Sequence, residues 1–208
     1  MRKTFLISIV SSCLTLFMGV SVQGSYTYTT IDVPGANNTW AWGIDGSNIV
    51  GYYDDGDYNA HGFSYDGTTY TTLDVPGASE TYAWDIDDGN TVGWYYDGSY
   101  HSFSYDGTTY TTLDVPGASN TEAYGIDGGN IVGRYLDVGQ HGFIYDGTTY
   151  TTLDVPGATH TNAYGIDGGN IVGYYDVGSE HGFLAVIPEP ATLSLLAVGM
   201  LMVCRRRR

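Results

Sequence analysis

The sequence predicts an all-β domain built from repeats. The stretch "YTTIDVPGA" at Tyr28 returns as "YTTLDVPGA" at Tyr70, Tyr110 and Tyr150, the last three 40 residues apart. Periods of this length are typical of solenoids, propellers and arrays. Each period contains short runs of alternating polarity and no helical periodicity, which is the pattern of half-buried strands.

Each repeat contains four predicted strands, placed in the third repeat at 109–115, 121–127, 130–135 and 141–145. The Asp-Gly pairs of "YDGTTY" and "DGGN" stand between runs and favour tight hairpins. The predicted unit is therefore a four-stranded meander of about 40 residues.

The strand order predicts a four-bladed β-propeller over residues 25–187. The chain starts one strand out of phase, so a strand at 26–33 can complete the sheet that ends at 181–186 and close the ring. Closure would remove edge strands, which otherwise invite aggregation. An open β-solenoid or curled array of the same hairpins is the alternative.

Residues 1–24 have the pattern of a secretory signal peptide. Arg2 and Lys3 precede an apolar run at 5–22, and small residues precede a cut after Gly24. An uncleaved membrane anchor is the alternative. The only cysteines, Cys13 and Cys204, lie outside residues 25–187, so that domain has no thiol or disulfide chemistry.

The charge distribution excludes nucleic acid as a partner. The chain has a formal charge of −16, but Arg134 is the only basic residue between 25 and 187, where twenty-two acidic residues leave about −21. Phosphate backbones require Lys and Arg. The same repulsion predicts that millimolar calcium or added salt raises the melting temperature.

No familiar catalytic motif appears in the domain, so no catalytic residue and no cofactor is predicted. Asp85 and Asp87 could form a glycosidase pair, but Asp87 precedes a hairpin, where Asp commonly bonds its own turn. His61, His101, His141 and His181 could converge on a metal or bond within their own blades. Calcium has only weak candidates, which are Asp54, Asp55 and Asp57.

Differences between the repeats locate a candidate ligand-binding face. The loops after each Pro-Gly-Ala and before each repeated histidine vary, and the strand order places both sets at one end of the domain. Aromatic residues in or beside these loops suit glycan stacking, although core aromatics are the commoner case. The candidates are Trp40, Tyr58, Tyr82, Trp94, Tyr100 and the lone cation Arg134.

The C-terminal residues 188–208 combine three features. Pro188, Glu189 and Pro190 come first, an uncharged stretch at 191–204 predicts a short transmembrane helix of about 21 Å, and Arg205, Arg206, Arg207 and Arg208 end the chain. This order closely resembles the PEP-CTERM sorting signal of Gram-negative, biofilm-forming bacteria. The resemblance implies processing by an exosortase, a transient inner-membrane stage, and release to the cell surface or extracellular matrix.

The repeat itself resembles the HAF-type extracellular repeats. "HGF" at His61, His141 and His181, and "HSF" at His101, stand where His-Ala-Phe is expected, with "GIDGGNIVG" as the companion motif. We therefore expect a non-enzymatic surface or biofilm-matrix protein that binds glycan or protein partners. A secreted hydrolase acting on matrix polysaccharide is the alternative.

Overall fold

The computed structural model describes residues 27–57 and 59–188. Within these residues all regular secondary structure is β-strand. The strands are β1 (Asn38–Asp45), β2 (Asn48–Asp54), β3 (Ala60–Tyr65), β4 (Tyr70–Leu73), β5 (Glu80–Asp87), β6 (Asn90–Tyr96), β7 (Tyr100–Tyr105), β8 (Tyr110–Thr112), β9 (Asn120–Asp127), β10 (Asn130–Leu136), β11 (Gln140–Tyr145), β12 (Tyr150–Leu153), β13 (His160–Asp167), β14 (Asn170–Asp176) and β15 (Glu180–Val186). The predicted all-β class is confirmed.

The strands form four successive antiparallel meanders, which we call units 1 to 4. Unit 1 is β1–β4, unit 2 is β5–β8, unit 3 is β9–β12 and unit 4 is β13–β15. A single parallel pairing between Gln140 and His160 links the sheets of units 3 and 4. The first three units therefore have four strands each, and unit 4 has three among the described residues.

The hairpins use the turn residues that the sequence indicated. Gly128 and Gly129, between β9 and β10, both have positive φ, which is the requirement of the two-residue turns that suit strand twist. In the "YDGTTY" hairpin of unit 2, the Asp106 carboxylate accepts hydrogen bonds from the backbone N–H groups of Thr108 and Thr109, at 2.8 and 2.7 Å. These N–H groups hold the pKa of Asp106 below its usual value.

The core lies between consecutive units. We call the face of a unit that contacts the following unit its forward face, and the opposite face its backward face. Val50 and Leu73 on the forward face of unit 1 pack against Ala83, Ile86 and Phe103 on the backward face of unit 2. Corresponding residues form the junctions between units 2 and 3 and between units 3 and 4. Fully burying one such side chain contributes about 1.5–3 kcal/mol, so stacking the units is the main source of stability.

The fourth strands of units 1 to 3 leave their sheets early. We predicted a strand at 109–115, but β8 ends at Thr112. Beyond it the chain crosses to unit 3, where Val115 N donates to Thr121 Oγ1 at 3.1 Å. Pro116 follows, and it has no N–H to donate to a ladder. The repeated stretch 109–115 therefore consists of a short strand followed by a connection between units.

The strand pairing that would close the predicted ring is not formed among the described residues. Residues 27–33 adopt no strand, and β15 pairs only with β14 within the described part of the chain. Val172 of unit 4 is 49% exposed, although Val50 at the same repeat position is fully buried by the following unit. The described units therefore form an open, propeller-like succession.

Candidate functional site

One pair of facing positions differs in every unit. The first and second strands place these pairs directly opposite each other. They are Trp40 with Tyr52, Tyr82 with Trp94, Glu122 with Arg134, and Asn162 with Tyr174. A repeated scaffold thus presents four different pairs of side chains, and only unit 3 uses charges.

Five rings form a continuous row across units 1 and 2, which we call the aromatic row. Its members, in order, are Trp40, Tyr52, Tyr82, Trp94 and Tyr100. The centroids of consecutive rings lie 5.0, 4.8, 3.9 and 5.3 Å apart. Tilted, stacked and edge-on pairs at such distances are favourable, so the rings hold one another in place. Both ends of the row, Trp40 and Tyr100, are exposed.

The row ends at a groove between units 2 and 3, with a volume of about 160 Å³. Its lining consists of Tyr100, Asn120, Glu122, Arg134, Tyr135, Leu136 and Gln140. Pockets for drug-sized ligands usually occupy about 300–1,000 Å³. The groove therefore fits one small ring-sized group, which could belong to a longer ligand that continues along the row.

The charges in the groove are paired. Arg134 Nη2 donates to Glu122 Oε1 and Oε2, at 3.0 and 2.8 Å, and the Tyr124 hydroxyl also donates to Glu122. Among the described residues, the other Arg134 nitrogens donate no hydrogen bond. They leave N–H donors for a ligand on a side chain that is 31% exposed.

Burial and the paired charges set the protonation states at this site. Burial raises the pKa of Tyr124, and the Glu122 carboxylate raises it further, so the phenol stays a neutral donor. Burial opposes the charge of Arg134, but Tyr124 and Glu122 outweigh that effect and raise the pKa of the guanidinium. The groove is therefore electrically neutral but rich in hydrogen-bonding groups.

Gln140 connects the groove to unit 4. Its Nε2 donates to Asn162 Oδ1 at 2.6 Å. Asn162 is fully buried, and its Nδ2 has no hydrogen-bond partner among the described residues. The Gln140 side chain is thereby held at the edge of the groove by a buried amide.

The sequence interpretation missed several members of this site. Tyr52, Glu122 and Gln140 were not among the candidates. Glu122 is the last letter of the variable stretch "SNTE", so comparing the repeats letter by letter could have found it. No sequence pattern predicts that Tyr52 contacts both units 1 and 2, because that contact depends on how the units stack.

The predicted candidates are partly brought together. Trp40, Tyr82, Trp94 and Tyr100 belong to the aromatic row, and Arg134 lies in the adjoining groove. These four aromatic residues and Arg134 lie on strands or at strand ends beside the variable loops. Tyr82 and Trp94 are half-buried, although the aromatic candidates were expected to be exposed. Tyr58 lies outside the described residues.

The repeated histidines pack within their own units. His101 Nδ1 lies 2.6 Å from Asp114 Oδ2, and the corresponding pairs His61 with Asp74 and His141 with Asp154 lie 2.9 and 2.7 Å apart. Each carboxylate belongs to the segment that follows the fourth strand of the same unit. The histidines therefore do not converge on a common metal, and the alternative of bonds within each blade is correct for these three.

The weak calcium candidates are engaged in their own loop. Asp54 accepts hydrogen bonds from Asn38 Nδ2 and Gly56 N, and Asp55 accepts one from Asp57 N. No group of three or more His, Cys, Asp or Glu residues is arranged to hold a metal ion in the described ranges. The proximity in sequence of Asp54, Asp55 and Asp57 therefore does not produce a cluster.

Asp85 and Asp87 join units 2 and 3. Asp85 Oδ2 accepts from Ile126 N at 3.0 Å, and Asp87 Oδ2 accepts from Gly128 N at 2.8 Å. Burial raises the pKa of Asp85, and the N–H groups of Ile126 and Ile86 partly offset this. Asp87 thus accepts a structural hydrogen bond, but the predicted partner is wrong, because the N–H group belongs to the turn of the next unit and not to its own turn.

The predicted sorting residues lie at the edge of the described chain. Pro188 is exposed and is the last described residue, whereas Glu189, Pro190 and the four terminal arginines, Arg205 to Arg208, lie outside it. The predicted helix at 191–204 also lies outside. Within the described residues, no helix is long and apolar enough to cross a membrane.

The C-terminal residues 186–208 match the family described as the PEP-CTERM protein-sorting motif. The chain thus carries this motif, as the order of Pro-Glu-Pro, apolar stretch and arginines indicated. The motif indicates export to the cell surface and processing by an exosortase. No curated protein matches the chain.

Among solved structures, the chain is similar to an acylaminoacyl peptidase, with 13% identity and a TM-score of 0.53 over 74% of this chain and 26% of that one. It is also similar to the β-propeller domain of the Trilobed protease from Pyrococcus furiosus, described as having an open velcro topology, with 14% identity, a TM-score of 0.49 and coverages of 66% and 45%. A third is a six-bladed β-propeller fucose-binding lectin from Aleuria aurantia, with 18% identity, a TM-score of 0.42 and coverages of 73% and 60%. The chain spans less than two thirds of each, and at these identities the likeness concerns the fold alone.

Proposed function

We propose that this protein is a non-enzymatic component of the cell surface or extracellular matrix that binds uncharged polysaccharide. The observation that carries the proposal is the aromatic row that ends at a neutral polar groove. Aromatic faces provide contact area for the apolar faces of sugar rings, and fixed donors and acceptors orient hydroxyl groups. A row longer than one ring suits a polymer.

The charge of the domain supports an uncharged ligand. The net charge of about −21 between residues 25 and 187 repels anionic polymers, and Glu122 neutralises the single cation Arg134. Charge alone does not distinguish a glycan from a protein partner, but the groove of about 160 Å³ fits a small group better than a protein surface.

The same groove argues for binding over hydrolysis. Most glycoside hydrolases need two carboxyl groups about 5–9.5 Å apart. Glu122 is the only carboxylate among the residues that line the groove, and both Arg134 and Tyr124 occupy it. The described geometry thus favours a binding protein over a secreted hydrolase.

The sorting signal gives this binding protein its place. An exosortase would hold the protein by residues 188–208, a transient inner-membrane stage would follow, and removal of that segment would release the repeat domain to the surface or matrix. The four units would then act as four blades of an open array with the aromatic row facing the polymer.

Binding can be tested on arrays of uncharged oligosaccharides, followed by calorimetric titration of the best array ligand. Tyr100→Ala introduces the residue that unit 1 has at this repeat position, Ala60. The double variant Glu122→Trp, Arg134→Tyr installs the pair of unit 1 and leaves no unpaired buried charge. We expect the double variant to weaken binding at least tenfold, since hydrogen bonds to charged groups contribute about 1.5–3 kcal/mol. Tyr100→Ala should weaken it about two- to tenfold, since an aromatic contact contributes about 0.5–1.5 kcal/mol.

Glu180→Ala is the matched control, because Glu180 occupies the repeat position of Tyr100 in unit 4 and is exposed there. It should bind as the wild type does. An array with no signal for the wild type, or equal binding by all variants, would refute the proposed function. A shortened sugar chain recovered after long incubation would instead identify a hydrolase.

Sorting can be tested separately by mass spectrometry of the protein from host cells with and without the exosortase. We expect the exported form to lack the terminal arginines Arg205–Arg208 only when the enzyme is present. Recovery of the intact chain from the culture medium of normal cells would contradict the proposed processing.

A further inference from the structure

The two ends of the succession expose faces that are buried at every internal junction. On unit 4, Val172 is 49% exposed, whereas Val50, Val92 and Val132 at the same position are fully buried. On unit 1, Ile44 is 67% exposed, whereas its counterpart Ile86 is 8% exposed. The valine of the forward face of unit 4 and the isoleucine of the backward face of unit 1 are thus both uncovered, whereas Phe63, the unit 1 counterpart of Phe103, is fully buried.

These two faces carry the halves of a junction that the chain already builds three times. In each internal junction, a valine of the preceding unit meets an isoleucine and an alanine of the following unit. Val172 is the valine of unit 4, and Ala41 and Ile44 are the alanine and isoleucine of unit 1. Leu184, which pairs with Val172 across β14 and β15, extends the apolar surface.

A missing strand marks the same two ends. The third strands of units 1 to 3 each pair with a Tyr-Thr-Thr segment, whereas β15 of unit 4 has no such neighbour within residues 27–57 and 59–188. The remaining copy of the segment starts at Tyr28, forms no strand, and leaves Tyr28 90% exposed. Its continuation is in its repeat position, since Val33 N donates to Thr39 Oγ1 as Val115 N does to Thr121 Oγ1.

We infer that a second copy of this chain docks head to tail on these ends. The backward face of unit 1 of one copy covers Val172 and Leu184 of the other, and the segment starting at Tyr28 adds to the free edge of β15. Asp167 then reaches the N–H of Gly46 in the partner copy, as Asp127 Oδ2 reaches Gly168 N within the chain at 2.9 Å.

A second copy fits better than the chain's own first unit. Among the described strands, those of unit 1 make no extensive contact with those of unit 4, so the fold leaves both faces open at once. Because the two docking faces differ, each copy still has one free end after pairing. Association therefore continues into longer chains of copies or a ring of several copies, which suits a protein of a surface layer or matrix.

The test uses the full chain in detergent, which covers the apolar terminal stretches, and measures mass by sedimentation over a concentration series. The wild type should grow in mass with concentration. Val172→Asp and Ile44→Asp each destroy one of the two faces, so each variant alone should stay monomeric. An equimolar mixture of these two variants still contains one intact pair of faces and should form dimers and nothing larger.

Val138→Asp is the control, because Val138 is fully exposed in a loop away from both end faces. It should associate as the wild type does. Circular dichroism of all variants should be unchanged, since Val172 and Ile44 are exposed. A wild type that stays monomeric, as ring closure within one chain requires, overturns the inference, as do single variants that still associate or a mixture that forms no dimers.

Discussion

The open end of unit 4 predicts that one substitution has different costs at two equivalent positions. Val132 and Val172 occupy the same place in β10 and β14, but Val132 is fully buried under unit 4 and Val172 is 49% exposed. Substituting each with alanine removes the same atoms from the same kind of strand. The loss of β propensity therefore cancels when the two variants are compared.

The expected costs follow from burial. Val→Ala removes the equivalent of two methylene groups, about 1.6 kcal/mol at about 0.8 kcal/mol each. At Val132 a cavity is left as well, so the total loss in the free energy of unfolding should be about 2–3 kcal/mol. At Val172 about half of the side chain already faces water and no cavity forms, so the loss should stay below about 1 kcal/mol.

Urea unfolding followed by circular dichroism measures both costs, at a protein concentration low enough for the monomer. Equal losses at the two positions would refute an open forward face on unit 4. At concentrations where copies associate, the cost of Val172→Ala should rise, whereas the cost of Val132→Ala should not change.

Three further predictions concern the scaffold. A Cβ at Gly133 would lie 2.1 Å from Glu122 O, so Gly133→Ala should lower the free energy of unfolding by about 3 kcal/mol in the urea assay. Gly182→Ala is the control and should change it little, because its Cβ would lie 3.8 Å from the nearest atom. The pKa of Asp106 is lowered in the folded protein, so this carboxylate stabilises the fold above about pH 4, the pKa of an unfolded Asp, and the effect is lost as the pH falls through the pKa of the folded state. Asp106→Asn should therefore make the free energy of unfolding depend less on pH in acid. An unchanged dependence would contradict this. Added salt or millimolar calcium should raise the melting temperature, because it screens the repulsion within a domain of net charge about −21. If neither changes the melting curve, charge repulsion does not limit the stability of the domain.

Much of the fold could be predicted because the repeats are local. Alternating runs identify strands, and Asp-Gly and Gly-Gly pairs identify hairpins, since both depend on neighbours within about ten residues. The four strands predicted in the third sequence repeat correspond to β8, β9, β10 and β11. They were placed correctly to within one or two residues, apart from β8 of unit 2, which ends early at Thr112. The all-β class followed from the same patterns.

Ring closure could not be predicted in this way. It depends on how far each unit turns relative to the one before, and that angle comes from packing between units such as Val50 against Ile86. The sequence at Tyr28 is compatible with a fourth strand on β15, but it does not state whether β15 of the same chain lies within reach. Strand pattern therefore determines the unit, and packing determines the assembly.

The candidate site divides in the same way. Comparing the repeats pointed to Arg134 and to four members of the aromatic row, because these positions differ between copies. Glu122 is directly opposite Arg134 on β9 and β10, and this pairing depends on the register of the two strands, which the difference between repeats does not give. The contact between Tyr52 and Tyr82 joins two units, so only the stacked structure contains it.

The most direct test of the binding proposal is a nuclear magnetic resonance titration of the protein with the best uncharged array oligosaccharide. The signals to follow are the side-chain N–H groups of Trp94, which lies next to Tyr100 in the aromatic row, and of Arg134, which lies in the groove. The account predicts that both shift with saturation at the same ligand concentration. Binding that leaves both signals unchanged, or shifts only residues of unit 4, would contradict it.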